Sequence, residues 1–279
     1  MSKVKIVTDS SCNMVEGLAK KLNIEIISLS TMIDGVIYKD MDLTGKEFMT
    51  MMEGAEALPK TSQPPIGEFV ELYDKLGEDG SDIVSIHMTD LISGTVNTAE
   101  QAAQISQSNV TVINSHFTDQ GLAFQVIEAA EMAEAGATAE EIIAKVENVR
   151  ENTELYIGVA SLDNMVKGGR LSRATGVITN LFNIRVVMQV LPESMETLVK
   201  GRGAKAFTKW FNELKETLAN EPAIKKIAIT HADGLETVTK FKEELQTMYP
   251  DMEIPVLDAS SIIATHTGKG AFAIMFYKD

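Results

Sequence analysis

Hydrophobic and polar positions follow a repeating order in the first half of the chain. Short apolar runs of strand length alternate with longer stretches in which apolar residues have helical spacing. Because connections of helix length join strands that run in the same direction, this order predicts a mostly parallel sheet with helices on both faces. The predicted strands are KVKIVTD, IEIISLSTMID, DIVSIHMT and VTVINSH.

The order changes near residue 155, where strand-like segments follow one another with short connections. Helical spacing returns only at about 203–218 and 235–248, which predicts a mixed or antiparallel sheet with helices on one face. We therefore expect an α/β protein: a three-layer domain in residues 1–158 and an α+β domain in residues 159–279, divided between 150 and 165. The later strand-like segments are ELYIGVASL, IRVVMQVL, METLVKG, KKIAITHA, MEIPVLD and AFAIMFYKD.

Charge narrows the classes of partner. The formal net charge is −15, and the pI is near 4.8, which argues against nucleic acid or an anionic membrane as the main partner. Residues 165–209 are an exception, because they hold eight basic and two acidic side chains. This local excess is typical either of a solvated surface or of a docking face for an acidic partner.

The single cysteine, Cys12, excludes an intramolecular disulfide and a thiolate metal site. The four histidines are dispersed, so we expect no metal. No apolar run approaches the roughly 20 residues that span a bilayer, and the first residues, MSKVKIVTDSS, have the pattern of a strand rather than of a signal peptide. We expect a cytoplasmic protein.

Ser93-Gly94-Thr95 follows the third predicted strand and precedes a helix. In α/β folds ligands bind beyond the carboxyl ends of the strands, and a helix start offers free N–H groups to an anion. The triplet is therefore a candidate anion site, although by spacing alone a simple helix cap at Ser93 or Thr95 is the favoured interpretation. The chain has neither a P-loop nor a G-x-G-x-x-G motif, which favours a carboxylate over a nucleotide phosphate.

His266 lies just before a glycine turn and a final apolar strand, which suits a polar head group above an apolar tunnel. An alternative is a serine hydrolase in which Ser93 is the nucleophile and His266 the base, with Asp9 or Asp258 orienting it. The context DLISGTV is not a G-x-S-x-G elbow, so no motif supports this alternative.

A second glycine turn lies in SLDNMVKGGRLSRATGV, where Arg170 and Arg173 flank a serine. The forked donors of arginine suit a phosphate, a carboxylate or an acidic partner surface, and equally a surface ion pair.

In this order along the chain, these motifs resemble the DegV family of fatty-acid-binding proteins, which includes the FakB subunits of bacterial fatty acid kinase. The resemblance extends over essentially the whole chain. The motifs that support it are Val7-Thr8-Asp9-Ser10, Thr61-Ser62-Gln63-Pro64, Ser93-Gly94-Thr95, Ser161-Leu162 through Gly168-Gly169-Arg170-Leu171-Ser172, and His266-Thr267-Gly268-Lys269-Gly270-Ala271.

The resemblance implies a long-chain fatty acid held between two domains, with no cofactor beside the lipid and no catalysis by this chain alone. Its carboxylate would be bound by Thr61, Ser93 and His266, with Ser62, Gly94 and Thr95 close by. Its acyl chain would enter an apolar tunnel in the second domain. The candidate tunnel residues are Met165, Val166, Phe182, Ile262, Ile263, Phe272 and Ile274.

The resemblance also implies two protein partners. A separate ATP-binding kinase subunit would phosphorylate the bound carboxylate, and an acyltransferase would accept the acyl-phosphate for phospholipid synthesis. Arg170, Arg173 and Arg202 are the candidates for docking the kinase, or for a brief contact with a membrane during lipid exchange.

Overall fold

The computed structural model describes residues 3–176, 184–221 and 223–278. The strands within these residues are β1 (Val4–Asp9), β2 (Ile24–Ile27), β3 (Ser30–Ile33), β4 (Val36–Lys39), β5 (Lys60–Ser62), β6 (Asp82–His87), β7 (Val110–Asn114), β8 (Thr153–Val159), β9 (Ala174–Thr175), β10 (Arg185–Val190), β11 (Met195–Gly201), β12 (Ile224–Ala232), β13 (Val256–Asp258) and β14 (Ala271–Lys278). The α-helices are α1 (Leu18–Lys21), α2 (Gly45–Gly54), α3 (Ile66–Gly77), α4 (Thr95–Ile105), α5 (Asp119–Glu134), α6 (Ala139–Glu151), α7 (Asp163–Lys167), α8 (Lys205–Asn220), α9 (Leu235–Met248) and α10 (Ser261–Thr267).

The first sheet has the strand order β2-β1-β6-β7, and all of its pairs are parallel. One face packs against α3 and α4 through residues such as Phe69 and Ala99. The other face packs against α5 and α6 through residues such as Val126 and Ile142. This three-layer arrangement confirms the predicted parallel sheet covered on both sides.

A small antiparallel sheet of order β4-β3-β5 accompanies the first sheet and was not predicted. The segment IEIISLSTMID is two strands rather than one, because β2 pairs with β1 whereas β3 turns back onto β4. Asp34 and Gly35 form the turn, and both have a positive φ, as a two-residue hairpin requires. The Asp-Gly pair was the signal in the sequence for this hairpin.

The second sheet is mixed and has the order β13-β12-β14-β8-β10-β11-β9. Its β12–β13 and β11–β9 pairs are parallel, and the others are antiparallel. This confirms the predicted mixed sheet. Strand β8 begins at Thr153 and pairs with β10 and β14, so it belongs to the second sheet. The chain therefore enters the second sheet within the predicted range of 150–165, ahead of the proposed division at 158.

The two faces of the second sheet have different neighbours. Along β14, Phe272, Ile274 and Phe276 pack with α8 and α9, for example against Phe207 and Phe241. The intervening residues of β14 face the opposite side, where the core joins the second sheet to residues of the first half of the chain. Since side chains alternate along a strand, this register decides which residues can reach a site between the halves.

Helix α10 is fixed at its first turn by buried hydrogen bonds to the small sheet and the segment after it. Ser261 Oγ donates to Asp40 Oδ1 at 2.6 Å and lies 2.8 Å from Thr31 Oγ1. The backbone N–H of Ile262 also donates to Asp40 Oδ1, at 3.3 Å. Thr31 pairs with Thr61 across the small sheet, so the contacts of Ser261 place α10 beside Thr61.

No helix within the described residues is long and apolar enough to cross a membrane.

We predict that Ser261→Ala lowers the free energy of unfolding by about 1–3 kcal/mol, because it leaves buried hydrogen-bonding atoms of Asp40 and Thr31 without this partner. Urea denaturation monitored by circular dichroism measures the difference. The adjacent Ser260 is a matched control, since its buried hydroxyl makes no hydrogen bond. Ser260→Ala should change stability by less than about 0.5 kcal/mol. Equal losses in the two variants would contradict this account of α10.

Candidate functional site

A cavity of about 280 Å³, here called the main cavity, lies where the two halves of the chain meet. Its walls come from β5, the segment after β6, strand β8 and helix α10. The lining residues are Leu29, Thr61, Ser62, Gln63, Met88, Ile92, Ser93, Gly94, Thr118, Ile157, Met165, Arg170, Met195, Ile262, Ile263, His266 and Thr267.

Polar groups in this lining include a hydrogen-bonded pair from two distant parts of the chain. Thr61 Oγ1, on β5, lies 2.9 Å from His266 Nε2, near the end of α10. The antiparallel register of β3 and β5 sets the position of Thr61, and the tether at Ser261 sets that of α10. Ser62 and Ser93 line the same cavity. The structure therefore brings together the hydroxyls and the imidazole that the sequence marked as candidate carboxylate ligands.

Ser93-Gly94-Thr95 lies at the start of α4, as predicted, and the N-cap position is Gly94, without a side-chain cap hydrogen bond. Ser93 and Gly94 line the main cavity, whereas the side chain of Thr95 is buried outside the lining. Ser93 Oγ accepts a hydrogen bond from the Thr95 N–H at 3.3 Å and lies 2.8 Å from Thr95 Oγ1. Thr95 thus positions Ser93.

His266 is held in its neutral form. Burial is the main cause, and the charge of Arg170 adds to it, so the pKa of His266 falls to about 4. Its Nδ1 atom is buried without a hydrogen-bond partner. The chain passes so close to the ring that a Cβ at Gly168 would overlap Nδ1, which explains a glycine at this position. A neutral imidazole can donate one hydrogen bond and accept another.

Arg170 belongs to the cavity rather than to an outer docking face alone. Its guanidinium donates to the carbonyl oxygens of Ile92, at 3.2 Å, and Gly168, at 2.7 Å, and it is partly buried. It lines both the main cavity and an adjacent outer pocket of about 400 Å³, which Ser93 and Gly94 also line. Arg170 therefore puts a positive charge where the main cavity meets the surface.

Arg173 and Arg202, the other docking candidates, are exposed and lie far apart along the sheet. Arg173 lines the outer pocket and directly precedes β9, which pairs with the start of β11. Arg202 follows the other end of β11, and at about 3.3 Å per residue the strand separates them by roughly 20 Å. Of Arg173 and Arg202, only Arg173 lies beside the candidate site.

Three of the predicted tunnel residues, Met165, Ile262 and Ile263, line the main cavity. Val166 does not, because its side chain projects from α7 into solvent and is 49% exposed. Phe272 and Ile274 pack with the helices on the other face of the second sheet, and neither lines the main cavity. Phe272 does line a smaller pocket that adjoins the main cavity. Phe182 lies outside the described residues.

Several apolar lining residues were missed in the sequence, among them Leu29, Met88, Ile92, Ile157 and Met195. Met88 and Ile92 follow β6 on the same side as Ser93, so their position at a strand end was an available signal. Ile157 had no such signal, because β8 is apolar on both faces. Three of the lining residues are methionines, whose flexible thioether chains adapt to an apolar guest.

The geometry gives no support to the alternative Ser93–His266 hydrolase. His266 contacts Thr61 through Nε2, and no carboxylate orients its Nδ1. Of the two candidate carboxylates, Asp9 is bound to His87 at 3.1 Å, and Asp258 lies 3.5 Å from His231. A further serine, Ser85, does contact His87 within the first sheet, but it is fully buried and no substrate can reach it.

The described residues contain no group of three or more histidine, cysteine or acidic side chains placed to hold a metal ion.

Comparison with known proteins identifies clear relatives over the whole chain. A family model described as "Uncharacterised protein, DegV family" matches residues 3–279. A DegV domain-containing protein of Lactococcus lactis, YejH, is 49% identical over 273 residues, which cover 98% of each chain.

Solved structures with the same fold are also similar in sequence. The chain superposes with a TM-score of 0.90 and 29% identity on DegV from Bacillus subtilis, described as a fatty acid binding protein, and 100% of each chain is covered. A DegV family protein from Thermus thermophilus, described by its fatty acid binding, gives a TM-score of 0.89 at 27% identity, covering 99% of this chain and 100% of that one.

We predict that Arg170→Gln raises the pKa of His266 above about 4, because it removes a positive charge that disfavours the imidazolium form. NMR titration of the His266 ring resonances measures the shift. Arg173→Gln is the matched control, since Arg173 is not among the groups that shift this pKa. An unchanged His266 pKa in Arg170→Gln would contradict an effect of the Arg170 charge on the His266 ring.

Proposed function

The chain belongs to the DegV family, and on this premise we propose that it binds a long-chain fatty acid in the main cavity. The observation that carries the proposal is a single lining that combines eight apolar side chains with the polar groups of Thr61, Ser93, His266 and Arg170. A fatty acid has the same division into a long apolar chain and one charged group. The fatty-acid-binding descriptions of the B. subtilis and T. thermophilus relatives support this ligand class.

The apolar wall accounts for the affinity. Burying a methylene group contributes about 0.8 kcal/mol, so the chain of a sixteen-carbon acid supplies an upper limit near 11 kcal/mol. The methionine side chains among the lining residues let the cavity adapt to the chain as it enters.

The polar groups account for the orientation. A carboxylate taken out of water without partners costs several kcal/mol, so the head group must lie where donors are available. When His266 donates from Nε2 to Thr61 Oγ1, the hydroxyl hydrogen of Thr61 is free to donate to the carboxylate. The hydroxyl of Ser93 can donate a second hydrogen bond, and the charge of Arg170 favours an anion. In this arrangement the acyl chain extends toward Ile157, Ile262 and Ile263.

We further propose that this protein acts as a cytoplasmic carrier that presents the carboxylate to a separate ATP-binding kinase subunit. The outer pocket supports this role, because it opens to the surface directly beside Ser93, Gly94 and Arg170. A phosphoryl donor held by another protein could approach the head group from there. The acyl-phosphate would then pass to an acyltransferase, and the protein could take up or release lipid during brief contact with a membrane.

We predict that Ser93→Ala weakens fatty acid binding about tenfold to hundredfold, because the lost bond is a hydrogen bond to a charged group. Fluorescent-probe displacement on delipidated protein measures the affinity for palmitate. Hexadecanol, which has the same chain and no carboxylate, should bind Ser93→Ala and wild type with nearly equal affinity.

Ser172→Ala is the control variant, since this serine lies beside the outer pocket and its hydroxyl donates to the Gly169 carbonyl instead. Palmitate affinity in Ser172→Ala should equal that of wild type. Unchanged palmitate binding in Ser93→Ala would overturn the placement of the carboxylate.

For the partner role, we predict that Arg173→Glu lowers the rate of kinase-dependent phosphorylation of bound palmitate at least tenfold while leaving palmitate affinity unchanged. The physical reason is reversal of an exposed charge at the edge of the outer pocket. Arg202→Glu tests how far the kinase surface extends along β11, since a lower rate of phosphorylation in this variant would include Arg202 in that surface. Lys240→Glu on α9 controls for the change in net charge. Phosphorylation at the wild-type rate in Arg173→Glu would contradict docking at this residue.

A further inference from the structure

A smaller cavity of about 20 Å³, here called the inner pocket, adjoins the main cavity. The two share Thr118, Ile157, Ile263 and Thr267 as lining residues, so the inner pocket continues the space in which we place the acyl chain. Its other lining residues include four alanines, Phe272 and the polar residues Asp119, Thr230 and His231. The alanines are small and apolar, whereas Asp119, Thr230 and His231 are unexpected beside an acyl chain.

Three polar atoms of this lining are buried without a hydrogen-bond partner: Thr118 Oγ1, Asp119 Oδ1 and His231 Nδ1. The second oxygen of Asp119 accepts a hydrogen bond of 2.6 Å from Thr230 Oγ1. His231 Nδ1 lies 3.5 Å from Asp258 Oδ1 without forming a hydrogen bond. Most buried polar atoms in proteins are paired, so unpaired atoms on three neighbouring side chains indicate a polar group as their partner.

The backbone at Asp119 is also unusual. Asp119 begins α5 with a φ of 57°, in the left-handed region that non-glycine residues seldom occupy. Its N–H donates to the Ser11 carbonyl at 2.9 Å, which holds the residue in this conformation. Burial raises the pKa of its carboxyl to about 6, against the opposing effect of hydrogen bonds from Thr230, Asn13 and the Gln120 backbone.

We propose that Thr118, Asp119, Thr230 and His231 form a subsite that accepts one hydroxyl group, and that the ligand is a fatty acid with a hydroxyl on its chain. This inference rests on the proposed fatty acid function and specifies the substrate class. A space of about 20 Å³ suits one group the size of a water molecule, and a hydroxyl on the acyl chain has this size and hydrogen-bonding capacity. An unsubstituted chain leaves the three polar atoms unpaired, which weakens its binding relative to a hydroxylated chain.

The test compares stearate with a series of hydroxystearates whose hydroxyl lies at successive positions from mid-chain to the terminal carbon. Binding is measured by probe displacement on delipidated full-length protein. We expect at least one isomer to bind about threefold to tenfold more tightly than stearate, the gain from one neutral hydrogen bond. This comparison needs no variant, so it remains decisive if a substitution prevents folding.

Thr118→Val and Asp119→Asn then assign the preference to the inner pocket. Valine keeps the shape of threonine without its hydroxyl, and asparagine tolerates the left-handed backbone of Asp119. In both variants the ratio of hydroxystearate to stearate affinity should fall toward one. Thr8→Val is the matched control, because Thr8 is a buried threonine of β1 that lines neither cavity, and it should leave the ratio unchanged.

Two results would overturn the subsite. If stearate binds at least as tightly as every hydroxystearate, the inner pocket accommodates water only. If the preference for one isomer is the same in Thr118→Val and Asp119→Asn as in wild type, the hydroxyl lies elsewhere. Failure of the proposed function is a separate result, because in that case neither stearate nor any hydroxystearate displaces the probe.

Discussion

The hydrogen bond between Thr61 and His266 joins the two halves of the chain at the point where a ligand head group would lie. Each partner depends on a different part of the fold. Thr61 is placed by the small antiparallel sheet, and His266 by a short helix whose first turn is bound to Asp40. The separation of these two side chains is therefore a consequence of how the halves pack, and a ligand that bridges them also bridges the halves.

Burial has opposite effects on the two ends of the proposed ligand. The acyl chain gains free energy from leaving water, whereas the carboxylate loses hydration that the protein must replace. The same burial keeps His266 neutral, with a pKa near 4, so it acts as a hydrogen-bonding group rather than as a cation. Positive charge is supplied instead by Arg170, which is held by backbone carbonyls at the opening of the cavity.

The sequence predicted the architecture well because hydrophobic periodicity reports directly on sheets and helices. Thr61, Ser93 and His266 were candidates from the sequence because they lie at strand ends or beside a glycine turn, and the structure brings them into one cavity. The hairpin of β3 and β4 was missed because the apolar run through Leu29 continues from one strand into the next. The sequence could not decide which face of β14 meets the cavity, since almost every position of that strand is apolar and buried. Neither Phe272 nor Ile274 lines the main cavity, although Phe272 lines the inner pocket beside it. Arg170 was assigned to the surface because its contact with the cavity depends on the turn at Gly168.

The central claim is that the main cavity holds a fatty acid, and the most direct measurement is mass spectrometry of the purified protein. Native spectra give the mass of the intact complex, and denaturing extraction identifies the released molecule. The account predicts one fatty acid per chain, either copurified or bound after addition of palmitate or oleate. A protein that remains ligand-free after incubation with both acids, or that retains a different class of molecule, would contradict it.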